Sequence, residues 1–404
     1  MASSNTNIIQ ITLPASKSIS NRWLVMDYLS ANGIKIKNLS SADDTQLLKR
    51  LLRQLKMNRR HNYDCHDAGT AARFLTALLA FTPGTHTIVG TPRLCQRPMA
   101  PLIEALRSIG CHITCTGKEG FLPLKIEGTI PTADRIIVDG TLSSQFVSAL
   151  LQASILLPQG LKVEVTGIST SEPYIEMTLN VMEMANINWD LKGTPPAFQL
   201  DHSLPRADIV TIEKDWSAAS YFYTTTAIKP SLHLRMVGLY KESLQGDSVV
   251  KDIYSHFGVV SQQTDITNDV TNNGEYDKVF AWDFTNTPDL FPAVAVTCAK
   301  LGIDAHLKGI DNLRIKESDR VKMVAEELKK MNCKVEITDH EVHILPSQLT
   351  ITQPVDPHGD HRIAMAFAAL KVKYPEVEVL TPDVVSKSFP TFWEMLDRAV
   401  VDSQ

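Results

Sequence analysis

The 404-residue chain lacks any apolar run near the length of a membrane-spanning helix, which needs about 20 such residues. It has no surplus of basic residues either: 40 Lys plus Arg stand against 45 Asp plus Glu, a net charge of −5. That balance argues against nucleic acid or an anionic membrane as the main partner. Cysteine is scarce, with six residues at 65, 95, 111, 115, 298 and 333, and no C-x-x-C pair among them. In a chain this long they read as reduced thiols rather than a disulfide framework. The segment "HNYDCHD" (61–67) sets two histidines beside Cys65, but nothing nearby supplies the second spaced ligand pair of a zinc site, so no metal is expected. The phosphate loop GxxxxGKS, a GxGxxG after a strand, the GxSxG elbow and HExxH are all missing. Kinase, dehydrogenase, serine hydrolase and zincin readings are disfavoured accordingly. "MASSNTNIIQITLP" at the N-terminus shows no basic region followed by an apolar one, and a bacterial cytoplasm is the expected location.

What remains is a chain with 44% hydrophobic residues, enough for a large core, and a length suited to two or three domains. Short β-branched runs alternate with helical stretches. "HTIVG", "RIIVDG" and "LKVEVTG" read as strands closed by glycine. "PMAPLIEALRSIG" reads as a helix with proline near its start and Gly110 just past its end. The class is α/β throughout, with no low-complexity linker.

One kind of segment recurs. A short polar start leads into a helix of small apolar residues in "SKSISNRWLVM", "AGTAARFLTALLA", "LSSQFVSALLQAS", "DWSAASYFYTTTA", "TPDLFPAVAVTCA" and "GDHRIAMAFAAL". Anchored on Ser18, Thr70, Ser144, Ser217, Asp289 and His361, the spacings are 52, 74, 73, 72 and 72 residues. That period is too long for a solenoid unit. It suits a unit of several strands and two helices, repeated six times as two domains of three units. Helices rich in Ala, Ser and Thr can be buried on all sides. Their N-termini then carry unpaired N–H groups and the positive dipole end, and converging ends make an anion site.

Cations gather at these starts. Lys17 and Arg22 lie at or within the first turns of "SKSISNR", opposing the helix dipole unless an anion is bound. Arg73 lies one turn into "AGTAARF", and Arg97 precedes Pro98. "NLRIKESDR" holds Arg314, Lys316, Glu317, Asp319 and Arg320, Arg362 follows Asp360 and His361, and Lys387 lies in "SKSFP". An acidic chain that sets cations in hydroxyl-rich helix openings is built to bind small multi-anionic ligands. Asp289 and Glu317 are the acid–base candidates, since a carboxylate among cations stays ionised at neutral pH.

In order along the chain, "LPASKSISNR", "AGTAARFL", "GTPRLCQRPM", "SSQF", "SEPYI", "DWSAASYF", "LRIKESDR", "GDHRIAMAF" and "SKSFP" resemble the motifs of the 3-phosphoshikimate 1-carboxyvinyltransferase (EPSP synthase) family, from about residue 11 to 395. The resemblance implies a two-domain inside-out α/β barrel, the enolpyruvyl transferase fold, with three βαββαβ-type repeats per domain. One domain would span 16–213 and the other 1–15 with 214–404, the active site lying in the cleft between them. It implies transfer of the enolpyruvyl group of phosphoenolpyruvate to the 5-hydroxyl of shikimate 3-phosphate, with release of phosphate and no metal or organic cofactor. By motif, Ser18, Arg22, Ser143, Ser144, Gln145, Ser171, Tyr174, Asp289, Asn312 and Lys316 would contact shikimate 3-phosphate. Lys17, Gly69, Arg97, Gln145, Arg320, Arg362 and Lys387 would contact phosphoenolpyruvate. Asp289 would be the base for the hydroxyl, with Glu317 and Lys17 near the methylene and the leaving phosphate. The expected partners are these two small molecules, with no nucleic acid and no membrane, and the expected assembly is a monomer.

The chain departs from the family pattern in places. Ala15 replaces the glycine of "LPGSKS", Asp67 replaces the asparagine of "NAGTA", and Trp216 sits where small residues are usual. Asp67 brings an anion near a phosphoenolpyruvate loop. The related UDP-N-acetylglucosamine enolpyruvyl transferases carry a reactive cysteine five residues before the arginine matching Arg97; here position 92 is Pro, and Cys95 reads as an ordinary thiol. A non-catalytic anion-binding relative is the other alternative, and the presence of Lys17, Asp289, Glu317 and Arg362 argues against it.

Overall fold

Alternation of buried and exposed residues marks the strands, and long buried stretches mark the central helices, in a computed structural model that describes residues 8–57, 61–167, 170–193, 195–200 and 203–401. Residues 1–7, on which the reading of the N-terminus partly rests, lie outside these. In chain order the elements begin with β1 (Ile9–Ile11), α1 (Lys17–Leu29), β2 (Lys35–Lys37) and α2 (Asp43–Lys56). Next come β3 (Asn62–Asp64), α3 (Gly69–Ala80), β4 (Gly84–Val89), α4 (Ala100–Ser108), β5 (His112–Cys115) and β6 (Leu124–Gly128). The same series repeats as β7 (Arg135–Asp139), α5 (Ser144–Ala153), β8 (Lys162–Thr166), α6 (Glu172–Met184), β9 (Trp189–Lys192) and β10 (Ala197–Leu200). After β11 (Ile209–Thr211) follow α7 (Trp216–Ile228), β12 (Leu234–Val237), α8 (Val250–Ser255), β13 (Val259–Gln263) and β14 (Thr267–Asn272). The last full series is β15 (Val279–Asp283), α9 (Phe291–Leu301), β16 (Asp304–Lys308), α10 (Arg320–Lys330), β17 (Val335–Ile337) and β18 (Glu341–Ile344). The chain closes with α11 (His361–Ala368) and α12 (Phe392–Val401).

Four sheets share one plan: β3-β4-β6-β5, β7-β8-β10-β9, β1-β12-β14-β13 and β15-β16-β18-β17. In each, the first two strands are parallel and the last two form an antiparallel hairpin laid beside the second. Two shorter units lack the hairpin. One pairs β2 with β11 in parallel, and the other is a parallel bridge between Val355 and Val379 on either side of α11. The six helix starts found by spacing are those of α1, α3, α5, α7, α9 and α11, the first helix of each unit. The spacing of 52 residues falls on the unit without a hairpin.

The chain divides into two compact units, one of residues 17–40 and 44–212, the other of 1–16, 41–43 and 213–404. Where the chain passes between them, Ala15 bridges Lys214 antiparallel, with Ser16 N donating to Glu213 O at 2.9 Å and Asp215 N to Pro14 O at 3.0 Å.

Within each unit the first helices of the repeats are the buried ones, with eleven of the twelve residues of α3 and nine of the ten of α5 buried. Every residue of α7 is buried, as are nine of the eleven in α9 and all of α11. Strand β7 buries Ile136 and Val138 while Arg135, Ile137 and Asp139 face solvent, the pattern of a sheet covered on one face only. A helix as rich in hydroxyls as α7 tolerates full burial because its own carbonyls accept them. Thr225 and Thr226 Oγ1 donate to Phe222 O at 2.8 and 3.0 Å, and Thr224 Oγ1 to Ser220 O at 3.1 Å. Each hydroxyl left unpaired would cost about 1–3 kcal/mol. Among the described residues no helix is long and apolar enough to cross a membrane.

Candidate active site

The unit of residues 17–40 and 44–212 gathers its polar groups at the N-termini of α1, α3, α5 and α6. Ala68 precedes α3 and offers no side-chain cap. The groups nearest its first residue are instead guanidiniums. A Cβ built on Gly69 would stand 2.3 Å from Arg73 Nη1 and 2.6 Å from Arg97 Nη1. Both arginines are buried. Arg73 is one turn into α3, and a helical side chain leans back towards the N-terminus. Two cations over a helix N-terminus form an anion site. A side chain at position 69 would occupy that space.

Lys17 opens α1, with Nζ 3.2 Å from Asp44 Oδ2. Arg22, one turn further, is buried. Its Nε donates to Thr178 Oγ1 at 2.7 Å, Nη2 to the Tyr174 carbonyl at 2.8 Å and to Ser148 Oγ at 3.3 Å, and Nη1 to the Ser18 carbonyl at 3.0 Å. Burial pulls its pKa down to about 10. Arg22 thus ties together Ser18, Tyr174 and, through Ser148, helix α5. Ser143 caps α5, its Oγ accepting from Gln145 N at 3.3 Å. Ser144 is buried beside it, and Gln145 Oε1 is buried without a hydrogen-bond partner among the described residues. Ser171 precedes α6 in the left-handed region at φ 59° and is buried, a conformation that costs a serine roughly 1–3 kcal/mol unless its surroundings hold it.

The other unit holds a carboxylate–guanidinium cluster at the starts of α9, α10 and α11. Arg320 is 1% exposed. Its Nη1 donates to Asp289 Oδ1, its Nη2 to Glu317 Oε2 and its Nε to Asp360 Oδ2, all at 2.8 Å. Arg362 Nη2 donates to Asp289 Oδ2 at 2.6 Å. Asp360 caps α11 by accepting from Arg362 N at 2.9 Å, and Ser318 Oγ donates to it at 3.2 Å. Burial alone would raise the Asp289 pKa. The charges of Arg362, Arg320 and Lys316 outweigh burial and hold it well below the usual carboxylate range. Burial likewise works against the Arg320 charge, and Asp360, Glu317 and Asp289 more than restore it. Asn312 is buried in the turn Asp311–Ile315 ahead of Lys316, and Lys387 ends the turn Pro382–Lys387 against which α11 packs.

Of the residues expected from sequence, Asp289, Glu317, Arg320 and Arg362 therefore form one bonded cluster, and Gly69 and Arg97 another. Ser18, Arg22 and Tyr174 form a third network. Asp44, Arg73, Ser148, Thr178 and Asp360 were not among the expected ligands, yet they hold those that were. Asp360 was legible as an acid two residues before Arg362, in the capping position of a helix. Asp247, also missed, is buried against this cluster, with Ser217 Oγ donating to its Oδ2. Burial first, and then the nearby Asp289 charge, raise its pKa well above the carboxylate range.

The three residues that depart from the family pattern are accommodated. Asp67 is exposed and accepts from Thr91 Oγ1. Trp216 is fully buried, its backbone N–H donating to Gln245 Oε1 at 3.0 Å. Ala15, also buried, forms the bridge to Lys214. Cys95 Sγ lies 3.5 Å from the Gly90 carbonyl, and burial raises its pKa, as suits an inert thiol.

Comparison with known proteins bears on this arrangement. The family model "EPSP synthase (3-phosphoshikimate 1-carboxyvinyltransferase)" matches residues 8–64 and 57–396. A 3-phosphoshikimate 1-carboxyvinyltransferase of Bacteroides fragilis (strain YCH46) is 38% identical over 398 residues, covering 96% of this chain and 94% of its own. One from Sulfurovum sp. (strain NBC37-1) is 32% identical over 418 residues, covering 96% of each. Among solved structures, an EPSP synthase from Acinetobacter baumannii superposes with a TM-score of 0.74 at 19% identity, covering 97% of this chain and 96% of that one.

Proposed function

The chain belongs to the EPSP synthase family, and on that premise we propose how its residues carry the family's reaction, the transfer of an enolpyruvyl group from phosphoenolpyruvate to the 5-hydroxyl of shikimate 3-phosphate. In this reading the clusters described above serve one pair of substrates, and the protein works as a cytoplasmic monomer. The observation that carries the reading is the pair of arginine clusters, Arg73 with Arg97 at Gly69 and Arg320 with Arg362 at Asp289. Each suits a phosphate or carboxylate, which a guanidinium holds bidentately.

Phosphoenolpyruvate takes the Gly69–Arg97 site and the Arg320–Arg362 site, with Lys17, Gln145 and Lys387 completing its contacts. Shikimate 3-phosphate takes the hydroxyls and amide at the starts of α5 and α6 (Ser143, Ser144, Gln145, Ser171 and Tyr174), together with Ser18, Arg22, Asn312, Lys316 and Asp289. The step itself is an addition followed by an elimination. The methylene carbon of phosphoenolpyruvate gains a proton, C2 becomes electrophilic, and the 5-oxygen attacks it as its own proton leaves. The tetrahedral adduct then loses a methyl proton and phosphate, restoring the double bond.

Asp289 is the base for the 5-hydroxyl. At rest its two arginines hold it ionised, the form that accepts a proton, but also make it a weak base. An anionic substrate that shares those arginines withdraws charge from Asp289 and raises its basicity. The base is thereby strengthened by substrate binding. Glu317, bonded to the same Arg320, and Lys17 serve the methylene and the leaving phosphate.

A phosphate-release assay tests this reading. Inorganic phosphate is expected from the two substrates together and from neither alone. Release from phosphoenolpyruvate alone, or none from the pair, would overturn it.

A further inference from the structure

The outer face of the sheet β15-β16-β18-β17 carries two histidines that the reaction does not use. His306 on β16 and His343 on β18 are register partners across an antiparallel pair. Their rings are stacked, centroids 4.2 Å apart and 15° from parallel. Asp304 lies two residues before His306, on the same face of β16, and its Oδ1 is 2.6 Å from His343 Nε2 and 3.9 Å from His306 Nε2. One ligand atom from each of the three residues falls within 4.8 Å of the others.

The second ring nitrogen of each histidine faces a further carboxylate. His306 Nδ1 lies 2.5 Å from Glu341 Oε1 on β18, and His343 Nδ1 lies 3.8 Å from Glu336 Oε2 on β17. Glu336 is the register partner of His343. Both imidazoles thus turn Nε2 towards one point near Asp304 and Nδ1 towards an outer acid. This is the arrangement in which metal-ligating histidines are held, with the outer acid fixing tautomer and ring orientation. The opposite face of the same strands, with Ala305, Leu307, Val342 and Ile344, is buried, so the ligands stand on a fixed sheet. A tetrahedral ion with bonds of about 2.0–2.1 Å keeps its ligand atoms roughly 3.3 Å apart. Binding draws the three ligand atoms, now within 4.8 Å of one another, to that spacing.

We propose that Asp304, His306 and His343 bind one divalent ion of the zinc type, with Glu341 and Glu336 as outer partners, as a site separate from the substrate clusters. Two imidazoles and a carboxylate match the preferences of zinc and cobalt rather than those of calcium or magnesium. A bound ion links β16 to β18 and stabilises this sheet against unfolding by mass action.

The test uses the full-length protein stripped of metal with a chelator. Zinc is titrated calorimetrically and cobalt by its visible absorbance. One ion per chain is expected, with a cobalt spectrum free of thiolate charge transfer and a thermal midpoint that rises with zinc. His306→Ala and His343→Ala should each weaken binding by tenfold or more. Glu341→Gln, which keeps all three ligands, should weaken it by about 10–100-fold. His256→Ala, at a histidine that pairs with Asp277 at 2.7 Å and faces the ring of Phe280 rather than an imidazole, should change nothing. Absence of saturable binding by the unaltered protein would overturn the proposal. So would binding that survives both His306→Ala and His343→Ala, or a thiolate signature in the cobalt spectrum.

Discussion

Arg320 donates to Asp289 at 2.8 Å, so the proposed base is paired directly with a cation proposed to hold phosphoenolpyruvate. Removing the carboxylate takes one partner from each of Arg320 and Arg362 while abolishing the proposed proton acceptor. Asp289→Ala should therefore keep shikimate 3-phosphate binding within tenfold and lower kcat by a factor on the order of 10² or more. Titration fluorescence and steady-state phosphate release measure the two effects separately. Near-normal turnover would remove Asp289 from this role.

Asp360 positions rather than reacts. It is fully buried, bonded at once to Arg320 Nε, Ser318 Oγ and Arg362 N. Truncating it leaves Arg320 its bonds to Asp289 and Glu317 but removes the cap of α11 and a charged hydrogen bond, at about 1–3 kcal/mol. Asp360→Ala is expected to lower the urea midpoint by a corresponding amount and to raise KM for phosphoenolpyruvate. An unchanged midpoint would contradict the contacts assigned to it.

Gly69 is a position where a single methyl group has nowhere to go. The nearest atoms are the mobile ends of Arg73 and Arg97, so the backbone can stay while the guanidiniums are displaced. Gly69→Ala should fold normally, leave shikimate 3-phosphate affinity unchanged, and raise KM for phosphoenolpyruvate at least tenfold. A parallel loss of affinity for both substrates would mean that the glycine serves the fold and not the anion.

Glu213 links folding to pH. It is 4% exposed, and burial pushes its pKa up to about 7, even though Oε1 accepts from Ser243 Oγ at 3.0 Å and Leu244 N at 3.1 Å. In the unfolded chain the same group ionises near its ordinary value of 4.5. Between those values the folded state holds a proton that the unfolded state has lost, so stability falls as pH rises from about 4.5 to 7, by roughly 3 kcal/mol. Chemical unfolding at several pH values should show this slope in the unaltered protein and a flatter one in Glu213→Gln. Identical slopes would exclude Glu213 as the source.

Much of this organisation was legible in the sequence because it is local. The polar start and small apolar body of each first helix stand at near-constant spacing, and the one short interval marks a unit without its hairpin. The cations at those starts were visible for the same reason. What the sequence hid are contacts made at long range. Nothing near Arg22 names Thr178 or Ser148 as its partners, and Asp247 reads as an unremarkable acid until α7 brings Ser217 against it. His306 and His343 are 37 residues apart, and only the register of β16 with β18 joins them. The burial of Trp216 within an apolar helix could not be told from a surface aromatic by a period that α7, buried all round, does not have.

Arg97 and Arg362 are both proposed to meet phosphoenolpyruvate, and kcat/KM for that substrate in Arg97→Ala and Arg362→Ala, measured side by side by phosphate release, tests this most directly. Each variant loses a buried guanidinium proposed to meet the substrate's charge, a loss of about 2–5 kcal/mol, so both should fall by at least tenfold. A normal kcat/KM in either variant would contradict the account.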